Sequence, residues 1–440
     1  MQQRHRPESR VTRGRPLSAA FFMFMVGVAA AATVGCSTSG SVGQSGQGGS
    51  GTAGGNGTAG ESGGGSGGAA GQGVAGASGG GPGGAGVAGA SGSGGASGGT
   101  AGASGSDAGT ANCMTPPPAS PLVGWAAMHA MNPNGTTGGG STTPTMVTTA
   151  AAFNSNAGGT AARVLYVTGS LTGNFTVGSN KTIVGLCGAS LHGHIEMNGS
   201  VNVIFRNLTV VGYGVGNCAL DPSFDPTVGC SSGADAITVI GGAQRIWIDH
   251  CDISDGTDGN LDITLGSDLV TVSWTKFHYT ARTDNGGSDS SGPSGHRFSD
   301  LVGGGDNSPG DVGKLNVTWH HDWWADRVSE RQPRVRYGKN HIFNSLYTGS
   351  GDDYCVRAGM NAQLLVENNA FINVSNPQQF NSAADQTTSF ITANNNLYTG
   401  ATGSRSTGGG GTAFTMPPYM YTLDDTAGLQ AAIMAGAGPQ

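Results

Sequence analysis

Beyond residue 160 the apolar positions come in short β-branched runs: 163–167, 182–184, 201–211, 245–253, 269–277, 315–324, 341–347, 363–372 and 390–398. Each run stops at turn-forming residues, as strands do, and few stretches carry a helical period. Aligning the runs puts Asn207, His250, Trp274, His321, Asn344, Asn368 and Asn395 in one column. The steps from 250 to 274, 321 to 344 and 344 to 368 are 24, 23 and 24 residues. Several short strands within a repeat of that length signify a solenoid.

The expected architecture is all-β, a single-stranded parallel β-helix with short helical caps. Each coil lays its strands over those of the coil before, so equivalent side chains stack. Asparagine suits a repeated bend, because it tolerates αL geometry and its amide can bond the next asparagine in the column. A sandwich or propeller is the competing reading. It needs Asn-Gly hairpin turns between paired strands, and these are scarce. The open ends of a solenoid need covering. Residues 148–153 suggest a capping helix at the start, and 429–434 a helical segment near the end.

Upstream of the strands the pattern vanishes. Of 440 residues 82 are glycine, and 37–111 is mostly Gly, Ala and Ser. Such a stretch cannot bury enough apolar surface to offset its ordering entropy. Residues 37–112 therefore read as a linker, and 113–440 as the domain. The linker's 76 residues (112 − 37 + 1) would reach roughly 50 Å as a Gly-rich coil. Before it, five arginines fall in the first 20 residues, and a short apolar run from Phe21 to Gly35 ends at Cys36. This is the layout of a secretory signal over 1–36, too short to span a bilayer comfortably. Val34-Gly35-Cys36 resembles a bacterial lipoprotein cleavage site, with Cys36 as the lipidated residue, although Thr33 stands where leucine is usual. An ordinary signal with a chance cysteine is the alternative. The protein is thus expected outside the cytoplasm, as a cell-surface or outer-membrane lipoprotein or in secreted form, with the membrane as a partner through its lipid.

Export changes how the cysteines are read. Without Cys36 six remain, at 113, 187, 218, 230, 251 and 355, enough for three disulfides. Cys218 and Cys230 flank one short segment and are the favoured pair, whereas Cys251 lies in a strand pattern and can pack as a small hydrophobe. The net charge of −7, with no long basic run, argues against nucleic acid as a partner.

Several strings are similar to those of the pectate lyase family, the first family of polysaccharide lyases. Ser179-Asn180-Lys181-Thr182-Ile183-Val184-Gly185, Val203-Ile204-Phe205-Arg206-Asn207-Leu208, Trp247-Ile248-Asp249-His250, Asp258-Gly259-Asn260-Leu261-Asp262-Ile263, Val270-Thr271-Val272-Ser273-Trp274, Arg331-Gln332-Pro333-Arg334-Val335-Arg336 and Pro418-Tyr419-Met420-Tyr421 each match a family motif, in order. The resemblance implies a right-handed β-helix acting as a monomer on polygalacturonate or pectin, by calcium-assisted β-elimination.

Pectate is a polyanion, and its C5 proton becomes acidic only when the neighbouring carboxylate is neutralised, which a hard dication does well. By resemblance Asp235, Asp258 and Asp262 are the Ca2+ ligands and Arg331 is the catalytic base. Arg282, Arg334 and Arg336 are the substrate-binding residues, Arg334 with a possible place in the coil wall instead. A basic role for Arg331 sits awkwardly with a guanidinium pKa above 12, so burial and nearby cations would have to lower it. Clamping a carboxylate is its simpler reading. Asp249 and His250 read as structural. Two departures matter: Gly233 stands where many members carry an acidic ligand, and Asp258 where many carry glutamate. A calcium-independent pectin lyase on methyl-esterified chains and a non-catalytic glycan-binding β-helix are the competing functions.

Overall fold

The structure is a computed structural model, and it describes residues 113–128, 135–214, 218–220, 235–280, 297–349 and 351–440. Among the described residues, twenty-three strands form one continuous parallel sheet wound into a right-handed β-helix. Three faces repeat along it. One stacks 201–206, 244–249, 268–273, 317–320, 339–343, 363–367 and 390–394. The next stacks 209–211, 252–254, 276–278, 323–324, 346–347, 370–372 and 397–399. The third, which the hydrophobic runs did not predict, stacks 237–240, 261–263, 300–302, 334–335, 356–358 and 378–380.

The predicted column is the bend between the first two faces. All seven residues have positive φ, from 48° at Asn395 to 59° at Asn207. Each long sequence run is therefore two strands joined by a two-residue bend whose first residue is αL. The ladder forms at the C-terminal end, where Asn395 Nδ2 donates to Asn368 Oδ1 at 2.7 Å and Asn368 Nδ2 to Asn344 Oδ1 at 2.8 Å. In the middle the column changes chemistry. His250, Trp274 and His321 stack their rings, with centroids 5.7 and 4.3 Å apart.

Inside, alternation turns every second residue inward. Phe277, Trp324, Tyr347, Phe371 and Tyr398 form a continuous aromatic stack at 5.7, 4.7, 4.3 and 5.4 Å. Each such contact adds ~0.5–1.5 kcal/mol beyond burial. Helix α1 (Ala150–Ala157) is capped by Thr149 Oγ1, which accepts from Ala152 N. It covers the first coil with Phe153, edge-on to Phe175 at 5.0 Å. A short helix, α2 (Ala383–Thr388), sits near the far end. Helix α3 (Thr426–Gly436) covers the expected segment at 429–434 but closes no end. It lies along the outside of the coils, where Leu429 and Ile433 pack on Leu346 and Ala370. The tail binds the αL column: Asp424 O accepts from Asn368 Nδ2, Gly438 N donates to Trp274 O, and Gln440 N donates to Asn207 Oδ1.

Cys113 is disulfide-bonded to Cys187, a pair the spacing did not favour, and Cys251 and Cys355 are buried and free. Cys230 and the side chain of Cys218 lie outside the described residues, as does Cys36.

Candidate active site on the third face

Leu261 and Ile263 are fully buried, so alternation turns Asp262 between them to the outer surface of its strand. Asp258 sits on the turn leading into that strand. Asp235 precedes the strand 237–240 of the coil below, which pairs in register with 261–263. One carboxylate oxygen from each of Asp235, Asp258 and Asp262 lies within 4.8 Å of the others.

This proximity is costly for the protein alone. Burial, then the charges of Asp262 and Asp258, raises the Asp235 carboxyl well above its ordinary range. Burial pushes Asp262 up to about 7, with Arg331 opposing and Asp258 adding to the rise. Asp235 Oδ1 and Asp262 Oδ1 are buried with no hydrogen-bond partner among the described residues. Gly259 leaves the space beside them open. A Cβ there would lie 2.8 Å from Asp235 Oδ1 and 3.6 Å from Asp262 Oδ1. Clustered carboxylates with unpartnered oxygens in a cradle of bare backbone suit a hard cation with oxygen ligands.

Arg331, at φ 59°, stands beside this cluster. Its Nη1 is 3.4 Å from Asp258 Oδ2, and its guanidinium lies 4.5 Å from the Phe298 ring. Its carbonyl accepts from Asp300 N at 2.6 Å, which fixes it to the site strand. Burial lowers its proton affinity, but Asp258, Asp262, Tyr354 and Asp235 outweigh burial, so the net shift is upward. The sequence reading needed cations to lower it; in the chain alone the carboxylates do the reverse.

Arg334 and Arg336 are braced. Arg334 pairs in register with Leu301, which pairs with Asp262, so they share one outward column. Its Nη2 donates to Asn381 Oδ1 at 3.0 Å. Arg336 donates through Nε to Asp306 Oδ1 at 2.7 Å and through Nη1 to Gly303 O at 2.9 Å. Arg282 and Gly233 lie outside the described residues. Asp249 lies on another face, buried, where its Oδ1 accepts from Ser273 Oγ at 2.8 Å and lies 3.0 Å from His250 Nδ1.

Sequence reasoning missed Phe298 and Asp306, which carry no motif. It also missed the role of Gly259, although this residue lies inside one.

The family profile described as pectate lyase matches residues 83–439. Pectate lyase B of Colletotrichum gloeosporioides is 34% identical over 316 residues, spanning 69% of this chain and 83% of its own. Pectate lyase A of Aspergillus niger is 35% identical over 328 residues, spanning 72% and 86%. Among solved structures, a pectate lyase from a Bacillus species in complex with trigalacturonate superposes with a TM-score of 0.56 at 21% identity, covering 72% of this chain and 98% of that one. At that identity the likeness speaks for the fold.

Proposed function

The chain belongs to the pectate lyase family and is a polysaccharide lyase, and from that premise we propose that it cleaves α-1,4-polygalacturonate by calcium-assisted β-elimination. The observation that carries the reading is the convergence of Asp235, Asp258 and Asp262 within 4.8 Å, beside Arg331. These three aspartates would hold Ca2+. Bound there, the ion would neutralise the substrate carboxylate next to C5 and so acidify the C5 proton.

The protein's own residues supply the rest. In its neutral form Arg331 takes the C5 proton at a guanidine nitrogen, the electron pair of the C5–H bond forms the C4–C5 double bond as the C4–O bond breaks, and the departing oxygen takes a proton from water. Phe298, against the guanidinium face, limits its approach to one direction. Arg336, held against Asp306, and Arg282 orient neighbouring carboxylates, while Arg334 supports the wall.

The proposal extends to the N-terminus. Residues 1–36 direct export, Cys36 carries a lipid, and 37–112 tether the domain to a membrane. The Cys113–Cys187 disulfide supports an oxidising compartment.

The test follows the ultraviolet absorbance of unsaturated uronate on polygalacturonate and on methyl-esterified pectin, with calcium or with chelator. Turnover of polygalacturonate that chelator abolishes is expected. Full activity on esterified chains in chelator would replace this reading with the calcium-independent one.

A further inference from the structure

We propose that His194 is a positioning residue for the cation site, fixing Asp235 through its backbone. The inference rests on the calcium reading of the three aspartates. His194 lies in the long strand 181–198 of the coil below the site. Its neighbour Ile195 is fully buried, so alternation puts His194 on the outer face, where its ring is nonetheless only 8% exposed.

The residues around Asp235 explain why a side chain is needed there. Ala236 is held on both sides by the ladder: its N donates to Gly259 O at 3.0 Å, and its O accepts from Ile195 N at 2.9 Å. The carbonyl of Asp235 is taken by His194, with Nδ1 2.7 Å from the oxygen. A carbonyl only accepts, so Nδ1 carries the proton. The neutral Nδ1–H tautomer and the imidazolium both meet that requirement, and the contact does not depend on the ring's charge.

Asp235 is thereby gripped at two points. His194 holds its carbonyl, and Thr238 Oγ1 reaches Oδ2 at 3.4 Å, while Oδ1 has no hydrogen-bond partner among the described residues. The peptide plane after Asp235 sets the direction of its Cα–Cβ bond, and so the place Oδ1 takes against Asp258 and Asp262. Without His194 a largely buried carbonyl loses its donor, and the peptide is free to turn toward another. Partners one step removed from a metal are worth about 10–100-fold in its affinity.

The test is calorimetric titration of calcium chloride into the full chain, alongside kcat at saturating calcium. His194→Ala and His194→Gln should bind calcium about 10–100-fold more weakly, with kcat at saturation nearly unchanged. His194→Asn, whose Nδ2 can occupy the place of Nδ1, should restore affinity, whereas glutamine sets its amide too far out. Wild-type affinity in His194→Ala, or equal behaviour of the Asn and Gln variants, overturns the assignment. A wild-type chain that takes up no calcium removes the metal reading itself, and this inference with it.

Discussion

Arg331 Nη1 lies 3.4 Å from Asp258 Oδ2, so the residue proposed to take a proton is ion-paired to a residue proposed to hold the cation. The pair would let an arginine be protonated at rest and still serve as the proposed base. Carboxylates hold its proton, and whatever occupies those carboxylates loosens it. Arg331→Lys keeps the charge but moves the accepting nitrogen. Steady-state kinetics should show kcat reduced by about 10²–10⁴ with KM little changed. Arg336→Lys is the matched control and should raise KM with kcat largely kept. If the Arg331 variant shows only a KM defect, Arg331 is a clamp and the base lies elsewhere.

On the proposed reading, the acidic cluster would make calcium binding compete with protons. Asp262 has its pKa raised from 3.8 to about 7, chiefly by burial. A raised carboxyl contributes stability that is complete below 3.8 and lost as pH climbs through about 7, because the folded chain must then bear the buried charge. The gain in melting temperature from calcium, measured against chelator, should therefore grow from about pH 5 to about pH 8. The raw melting temperature is a poorer readout. Burial lowers His320 and His341, which withdraws stability as pH falls below their ordinary 6.5. The calcium increment cancels that contribution. In Asp262→Asn the increment should be small at every pH; an unchanged increment would show that the cation binds elsewhere.

The proposed division at Cys113 has a direct consequence. A chain beginning at Cys113 keeps every described coil and the Cys113–Cys187 disulfide. It should fold, retain wild-type turnover, and no longer pellet with membranes. A folded but inactive product would place part of the domain upstream.

The two faces joined by the αL column were legible in the sequence because their strands run together into patterns of seven to eleven residues. Val201 to Val211 reads as one run, and the structure cuts it at Asn207 and Leu208, the first of them in αL. The third face was not legible. Leu261–Ile263, Asp300–Val302 and Arg334–Val335 are two or three residues long, too short for alternation to register, and the site stands on them. The aspartates and Arg331 were reached through motifs, which carry chemistry even where periodicity is silent. His194 and Phe298 were not, since their roles come from a backbone carbonyl and a ring face that only the winding brings near.

The asparagine ladder can be tested apart from catalysis. Asn368, at φ 55°, donates to Asn344 Oδ1 and to Asp424 O and accepts from Asn395 Nδ2. Asn368→Ala removes all three bonds and leaves a residue poorly suited to αL, at a cost of about 2–4 kcal/mol. Asn368→Gly removes the bonds but suits the backbone, and should lose less. Urea unfolding midpoints in that order support the ladder; equal midpoints would mean that backbone strain contributes nothing.

Gly259 offers the narrowest test of the cation cradle. A methyl group there would lie 2.8 Å from Asp235 Oδ1 and 2.9 Å from Ser299 O, closer than carbon and oxygen tolerate. Relief requires Asp235 to swing away, or the turn carrying Asp258 to lift. Either motion parts the three carboxylates. Gly259→Ala should therefore weaken calcium binding by at least about tenfold, on the scale at which small displacements of metal ligands act. The chelated variant should stay folded, because its aspartates no longer crowd one another. Gly310→Ala serves as the control, since a Cβ at Gly310 meets nothing within 4 Å. Calorimetry on both variants decides the matter: equal calcium affinity in the two would mean that the cation does not sit between Asp235 and Asp262.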